Sequence, residues 1–208
     1  MSQNSDVTAI PSLDLNRYLG KWYEICRLPL RWEDTGATDI TARYFLNESG
    51  TVRVDNRCFD EEGEPTRAVA EATPQDEAKS RLKVNFLPEY LRWLPFTSGD
   101  YWVLKIDADY TTSLVGTPDR KNLWILSRTP ELSTAIREDY LAEARRQGFD
   151  LSELITPVHT GRDVTDDLAT AEAHSLRAKK QEAMASCSEV WASEISLRAE
   201  GSPRRSRE

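Results

Sequence analysis

Between residues 21 and 127 apolar and polar residues alternate in short runs, each closed by a turn signal. In Thr51–Phe59 the residues Val52, Val54, Asn56 and Cys58 fall on one face, and Arg53, Asp55, Arg57 and Phe59 on the other. In Arg81–Leu87, Leu82, Val84 and Phe86 stand opposite Arg81, Lys83 and Asn85. A period of two is that of a strand with one buried face. Further runs are Lys21–Leu28, Asp39–Leu46, Thr66–Ala72, Tyr101–Asp107, Thr111–Gly116 and Asn122–Ser127, which makes eight in all. Breaks such as Asn47-Glu48-Ser49-Gly50 and Asp60-Glu61-Glu62-Gly63 carry hairpin chemistry. Short links between alternating strands predict an antiparallel sheet, and closing it into an all-β, eight-stranded up-and-down barrel removes its exposed edges. Eight strands leave an interior wide enough for one small ligand.

Helical signals come later. Thr129 is the expected N-cap and Pro130 the first helical residue, with Leu132, Ile136, Tyr140 and Ala144 at helical spacing and Gly148 as the stop. The expected layout is a flexible N-terminus over 1–12, a barrel domain over 13–160 with a wall helix at 130–147, and a helical or disordered tail over 161–208. Trp191, Val190 and Ile195 form the tail's one strong apolar cluster.

A net charge of −8 opposes nucleic-acid binding, which needs a basic face. The first twenty residues lack the basic and apolar regions of a secretory leader. The chain therefore reads as cytoplasmic or peripheral to a membrane, or as mature and freed of a leader. Cys26, Cys58 and Cys187 are too few and too widely spaced for a disulfide framework or a zinc site. Neither a metal nor a cofactor is expected.

Three ordered blocks carry a resemblance. Gly20-Lys21-Trp22-Tyr23-Glu24-Ile25 resembles the Gly-x-Trp opening of the lipocalins. Ser98–Asp107 and Gly116–Pro130 resemble the later strands, the last hairpin and the helix start of one lipocalin branch. That branch holds the bacterial outer-membrane lipoprotein lipocalins, apolipoprotein D and the plant temperature-induced lipocalins. The resemblance covers about residues 13–158 and implies a hollow barrel that binds apolar ligands. It implies that Arg128 stacks on Trp22 at the closed end, a cation–π contact of roughly 0.5–2 kcal/mol. Gly20 would supply backbone freedom at the first strand.

Alternation nominates Tyr44, Val54, Asn56, Cys58, Leu82, Val84, Phe86, Tyr101 and Val103 as ligand-binding residues, with Ala42, Leu46 and Val52 on the same inward faces. A few polar groups among apolar walls suit a fatty acid, a lysophospholipid or a similar lipid. The link Leu87–Phe96 carries Tyr90, Leu91, Trp93, Leu94 and Phe96 where a hairpin tip is normally polar. Three roles fit it: docking on a membrane, folding over the mouth as a lid, or contact with a second copy. The plant members of the resembling branch have an apolar, proline-rich loop here, associated with membrane attachment.

The chain is read as a carrier, not an enzyme, with storage or protection of lipids under stress as its role. His159 and His174 lie at or beyond the end of the barrel, so no nucleophile–His pair is apparent. The alternatives are lipid processing by a pocket thiol, Cys58 or Cys26, and a scaffold role for the tail.

Overall fold

The computed structural model describes residues 6–30, 35–85 and 98–170. Among these, eight strands form a closed antiparallel barrel in chain order. They are β1 (Gly20–Arg27), β2 (Thr38–Leu46), β3 (Val52–Phe59), β4 (Pro65–Pro74), β5 (Arg81–Asn85), β6 (Ser98–Ile106), β7 (Thr112–Gly116) and β8 (Leu123–Ser127). β1 pairs with β2 on one side and β8 on the other, which seals the cylinder. A short helix, α1 (Leu15–Tyr18), precedes β1, and α2 (Thr134–Arg146) follows β8. No described helix is long and apolar enough to cross a membrane.

Two apolar clusters divide the barrel's inside from its outer wall. The inner one joins Trp22, Val52, Ala72, Leu82, Val103 and Val115 with Leu15 and Tyr18 of α1. The outer one packs Tyr140, Leu141 and Ala144 of α2 on Ile25, Cys26, Leu104, Leu114, Leu123 and Ile125. Strands β7 and β8 therefore bury both faces, which is why Leu114-Val115 and Ile125-Leu126 read as apolar runs without alternation. Gly116 is required by this packing: a Cβ there would stand 2.7 Å from the Phe149 ring.

Two expectations are corrected. The N-cap of α2 is Ser133, whose hydroxyl accepts from the Ile136 amide, so the helix starts four residues after Pro130. Thr129 instead donates its hydroxyl to the Glu131 carbonyl. Residues 6–12, expected to be flexible, are docked: Ile10 donates its amide to the Val103 carbonyl at 2.9 Å, Thr8 donates to Gln147 Oε1, and Val7 is buried in the outer cluster.

The chain divides into two compact units, 1–164 and 165–208, so the first ends slightly beyond the compositional change at Gly161. The last stretch of this unit lies along the outside of β1–β3. Ile155 bridges Arg27, the Asp39 amide donates to the Val158 carbonyl, and the Asp39 carboxylate accepts from the Thr160 and Gly161 amides. Asp163 forms ion pairs with Lys21 and Arg43. Arg57 donates to the Val164 carbonyl and to the Asp55 carboxylate, which Arg67 also holds. This strap explains why Asp55 and Arg57, on the outer face of β3, are buried. In the second unit, residues 166–170 are helical.

Candidate functional site

The closed end is built from the two ends of the barrel sequence. The Arg128 guanidinium lies 3.8 Å from the Trp22 ring centroid. It donates to the carbonyls of Lys21, Arg17 and Leu19 at 2.8, 2.8 and 2.9 Å, and to that of Tyr110 at 3.2 Å. Trp22 is fully buried and donates its indole N–H to the Tyr18 carbonyl. Gly20 has φ of +94°, a conformation that a side chain disfavours, and a Cβ there would approach Arg128 to 3.4 Å. One guanidinium thus ties α1, β1 and the turn before β7 to the end of β8.

Above this plug lies a cavity of about 690 Å³. It runs toward the end of the barrel where β1 leads to β2, β3 to β4 and β7 to β8. Tyr44, Val54, Asn56, Cys58, Leu82, Val84 and Tyr101 line it, as does Ala42. Val103 does not: it points inward but is fully buried in the plug, where side chains fill the narrowing barrel. Val52 belongs to the plug as well. Leu46, at the hairpin end of β2, is 47% exposed. Phe86 and the residues Tyr90, Leu91, Trp93, Leu94 and Phe96 fall outside the described residues.

Sequence reasoning missed several lining groups. Trp124 and Leu126 lie on a strand with no visible alternation. Glu24 comes one strand period after the inward Trp22, so it was readable, but a carboxylate is not expected in an apolar wall. A shift of register between Glu24 and Cys26 in the β1–β8 pairing then alters the alternation. Arg27 donates to Glu24 at 2.9 Å, and both side chains are buried. The same irregularity leaves Cys26 on the outer wall, packed with the α2 residues, where burial pushes its thiol up to about 12. Cys26 is therefore not a pocket thiol. Cys58 is one, and its sulfur lies 3.0 Å from the Thr66 hydroxyl.

At the cavity floor three tyrosines meet. Tyr101 Oη lies 2.7 Å from Tyr18 Oη and 2.8 Å from Tyr44 Oη, and Tyr18 Oη lies 3.3 Å from Ser113 Oγ. Burial raises the Tyr18 hydroxyl to about 12 and drives those of Tyr44 and Tyr101 well above the usual phenol value. All three stay protonated at neutral pH. Tyr101 also stacks on Trp124. His159 is outside the barrel wall, edge-on to Tyr23 with its Nε2 at 2.7 Å from the Glu24 carbonyl oxygen. Among the described residues no group of His, Cys, Asp and Glu is arranged to hold a metal ion.

A closed eight-stranded antiparallel barrel, plugged at one end and hollow and largely apolar toward the other, is the architecture of a cup for small hydrophobic molecules. The family described as the lipocalin-like domain matches residues 13–159, and the chain belongs to the lipocalins, which bind such ligands. It is 37% identical over 157 residues to temperature-induced lipocalin-1 of Arabidopsis thaliana, covering 74% of this chain and 83% of that one. It is 40% identical over 152 residues to the outer membrane lipoprotein Blc of Citrobacter freundii, covering 72% and 81%. Bovine (Bos taurus) apolipoprotein D is 34% identical over 128 residues, covering 58% of this chain and 64% of the relative. Insecticyanin from the tobacco hornworm Manduca sexta shares the fold, with a TM-score of 0.57 at 20% identity over 79% of this chain and 88% of that one.

Proposed function

We propose that this lipocalin is a non-catalytic carrier of single-chain lipids, such as fatty acids or lysophospholipids, which it stores, transfers or protects by reversible burial. The observation that carries this reading is the cavity of about 690 Å³, walled by Val54, Leu82, Val84, Trp124 and Leu126 with a few fixed polar groups. Roughly 0.8 kcal/mol per buried methylene makes even a half-buried chain a micromolar ligand. The chemistry of the wall favours a carrier over an enzyme. The pocket thiol Cys58 faces a hydroxyl, and neither His159 nor Cys26 lines the cavity. The similarity to a temperature-induced lipocalin supports a role in membrane maintenance under stress.

The test is native mass spectrometry of lipids that co-purify with the protein. Wild type should retain them. Ala68→Trp, which places an indole in the cavity from an inward position of β4, should retain few while keeping its β-sheet circular dichroism. Equal loading of both proteins would refute the carrier reading.

The link over residues 87–96 joins β5 to β6, whose ends Asn85 and Ser98 pair at the mouth side of the barrel. We place its role at a membrane surface, because its Trp and Tyr side chains suit the lipid–water interface. The protein then works in the cytoplasm or peripherally on a membrane.

A further inference from the structure

The hydroxyl cluster at the cavity floor has a countable proton inventory. Tyr18, Tyr44, Tyr101 and Ser113 bring one hydroxyl proton each, and the cluster holds three hydroxyl–hydroxyl contacts. Each contact uses one proton, so one remains. Ser113 is fully buried and among the described residues its hydroxyl meets Tyr18 alone, so donating to Tyr18 is its favoured arrangement. Tyr18 then donates to Tyr101, since its oxygen has no other hydroxyl contact. The remaining proton belongs to Tyr101 or Tyr44, and both of these line the cavity.

We infer that this hydroxyl is a donor aimed at the cargo, and that the preferred cargo carries an uncharged oxygen acceptor, a ketone, an ester carbonyl or an alcohol, which enters first and reaches the floor. This deepens the carrier reading and rests on it. The electrostatics of the floor favour a neutral acceptor over a carboxylate. Burying a carboxylate needs a cation or several donors, and the floor has one spare proton. The Glu24 carboxylate lines the same cavity and is already paired with the buried Arg27, so that cation is not available to a second carboxylate. Arg128 is engaged at the closed end by the Trp22 ring and five backbone carbonyls. A fatty acid is left with the opposite orientation, chain down and carboxylate at the mouth, where it gains nothing from the tyrosines.

The experiment compares 2-dodecanone, dodecanoate and dodecan-1-ol at pH 7.5, with Trp fluorescence as the readout. The ketone and the alcohol should each bind about tenfold more tightly than dodecanoate, the effect of one net hydrogen bond. The double variant Tyr44→Phe/Tyr101→Phe should bind the ketone about tenfold more weakly, so that the preference for ketone over dodecanoate falls from about tenfold to within about twofold. The carbonyl stretch of bound ¹³C-labelled 2-dodecanone should lie lower in wild type than in the variant, a shift that altered packing alone does not produce. Dodecanoate binding as tightly as the ketone in wild type overturns the inference and leaves the carrier reading standing, and that comparison needs no variant. Failure of all three probes to bind removes both.

Discussion

Two guanidinium groups, from Arg57 and Arg67, share the Asp55 carboxylate on the outer face of the barrel, at 2.9 and 2.7 Å. Burial pushes that carboxyl up, but the charge-assisted hydrogen bonds outweigh it and hold Asp55 at about 2. Its ordinary value is about 3.9. The stabilisation is therefore complete above about pH 4 and is lost as the pH falls from there through about 2. Asp55→Asn should cost about 3 kcal/mol at pH 7, because the buried Arg57 loses its bidentate pairing with the Asp55 carboxylate. Arg67 is more exposed and adds less. Urea denaturation at a series of pH values should also show the variant losing less stability than wild type between pH 4 and 2. An identical slope in both proteins would mean that Asp55 does not set the acid limit.

At the scale of elements, all eight strands were legible, because each buries one face or sits beside a recognisable turn. The N-cap of α2 was not. Thr129-Pro130 has the chemistry of a helix start, yet the chain uses it to leave β8, and the helix begins only at Ser133. Competing caps a few residues apart cannot be ranked without knowing where α2 must lie to cover Cys26 and Leu114. Ser133→Ala should destabilise the protein by about 1 kcal/mol and speed amide exchange over 134–137, whereas Thr129→Ala should leave that exchange unchanged. The candidate site divides in the same way. Tyr44, Val54, Asn56 and Cys58 were legible through strict alternation. Glu24 was passed over because a carboxylate is not expected in an apolar wall, Arg27 was hidden by a register shift, and Val103 by the depth at which the barrel fills. Period tells which way a side chain points but not how far along the axis the hollow extends.

For the whole molecule, the strap along β1–β3 sets where the barrel unit ends. Deleting 165–208 should leave the melting temperature within a few degrees and lipid loading intact, since the bonds of Asp39, Arg43 and Arg57 to the strap all lie within residues 1–164. Loss of loading on this deletion would restore a working role to the tail. Trp93→Ser with Leu94→Ser should abolish sedimentation with liposomes while cargo binding persists, and unchanged sedimentation would rule out docking through this link. Closure of the barrel through β1 and β8 also has a consequence in time. The strand carrying Trp22 is made first, and the partner that completes its pairing comes roughly a hundred residues later. At about 5–20 residues per second, β1 waits roughly 5–20 s on the ribosome with one side unsealed. During synthesis this protein has the open edge that its finished form lacks, and Arg128 arrives as the last stitch.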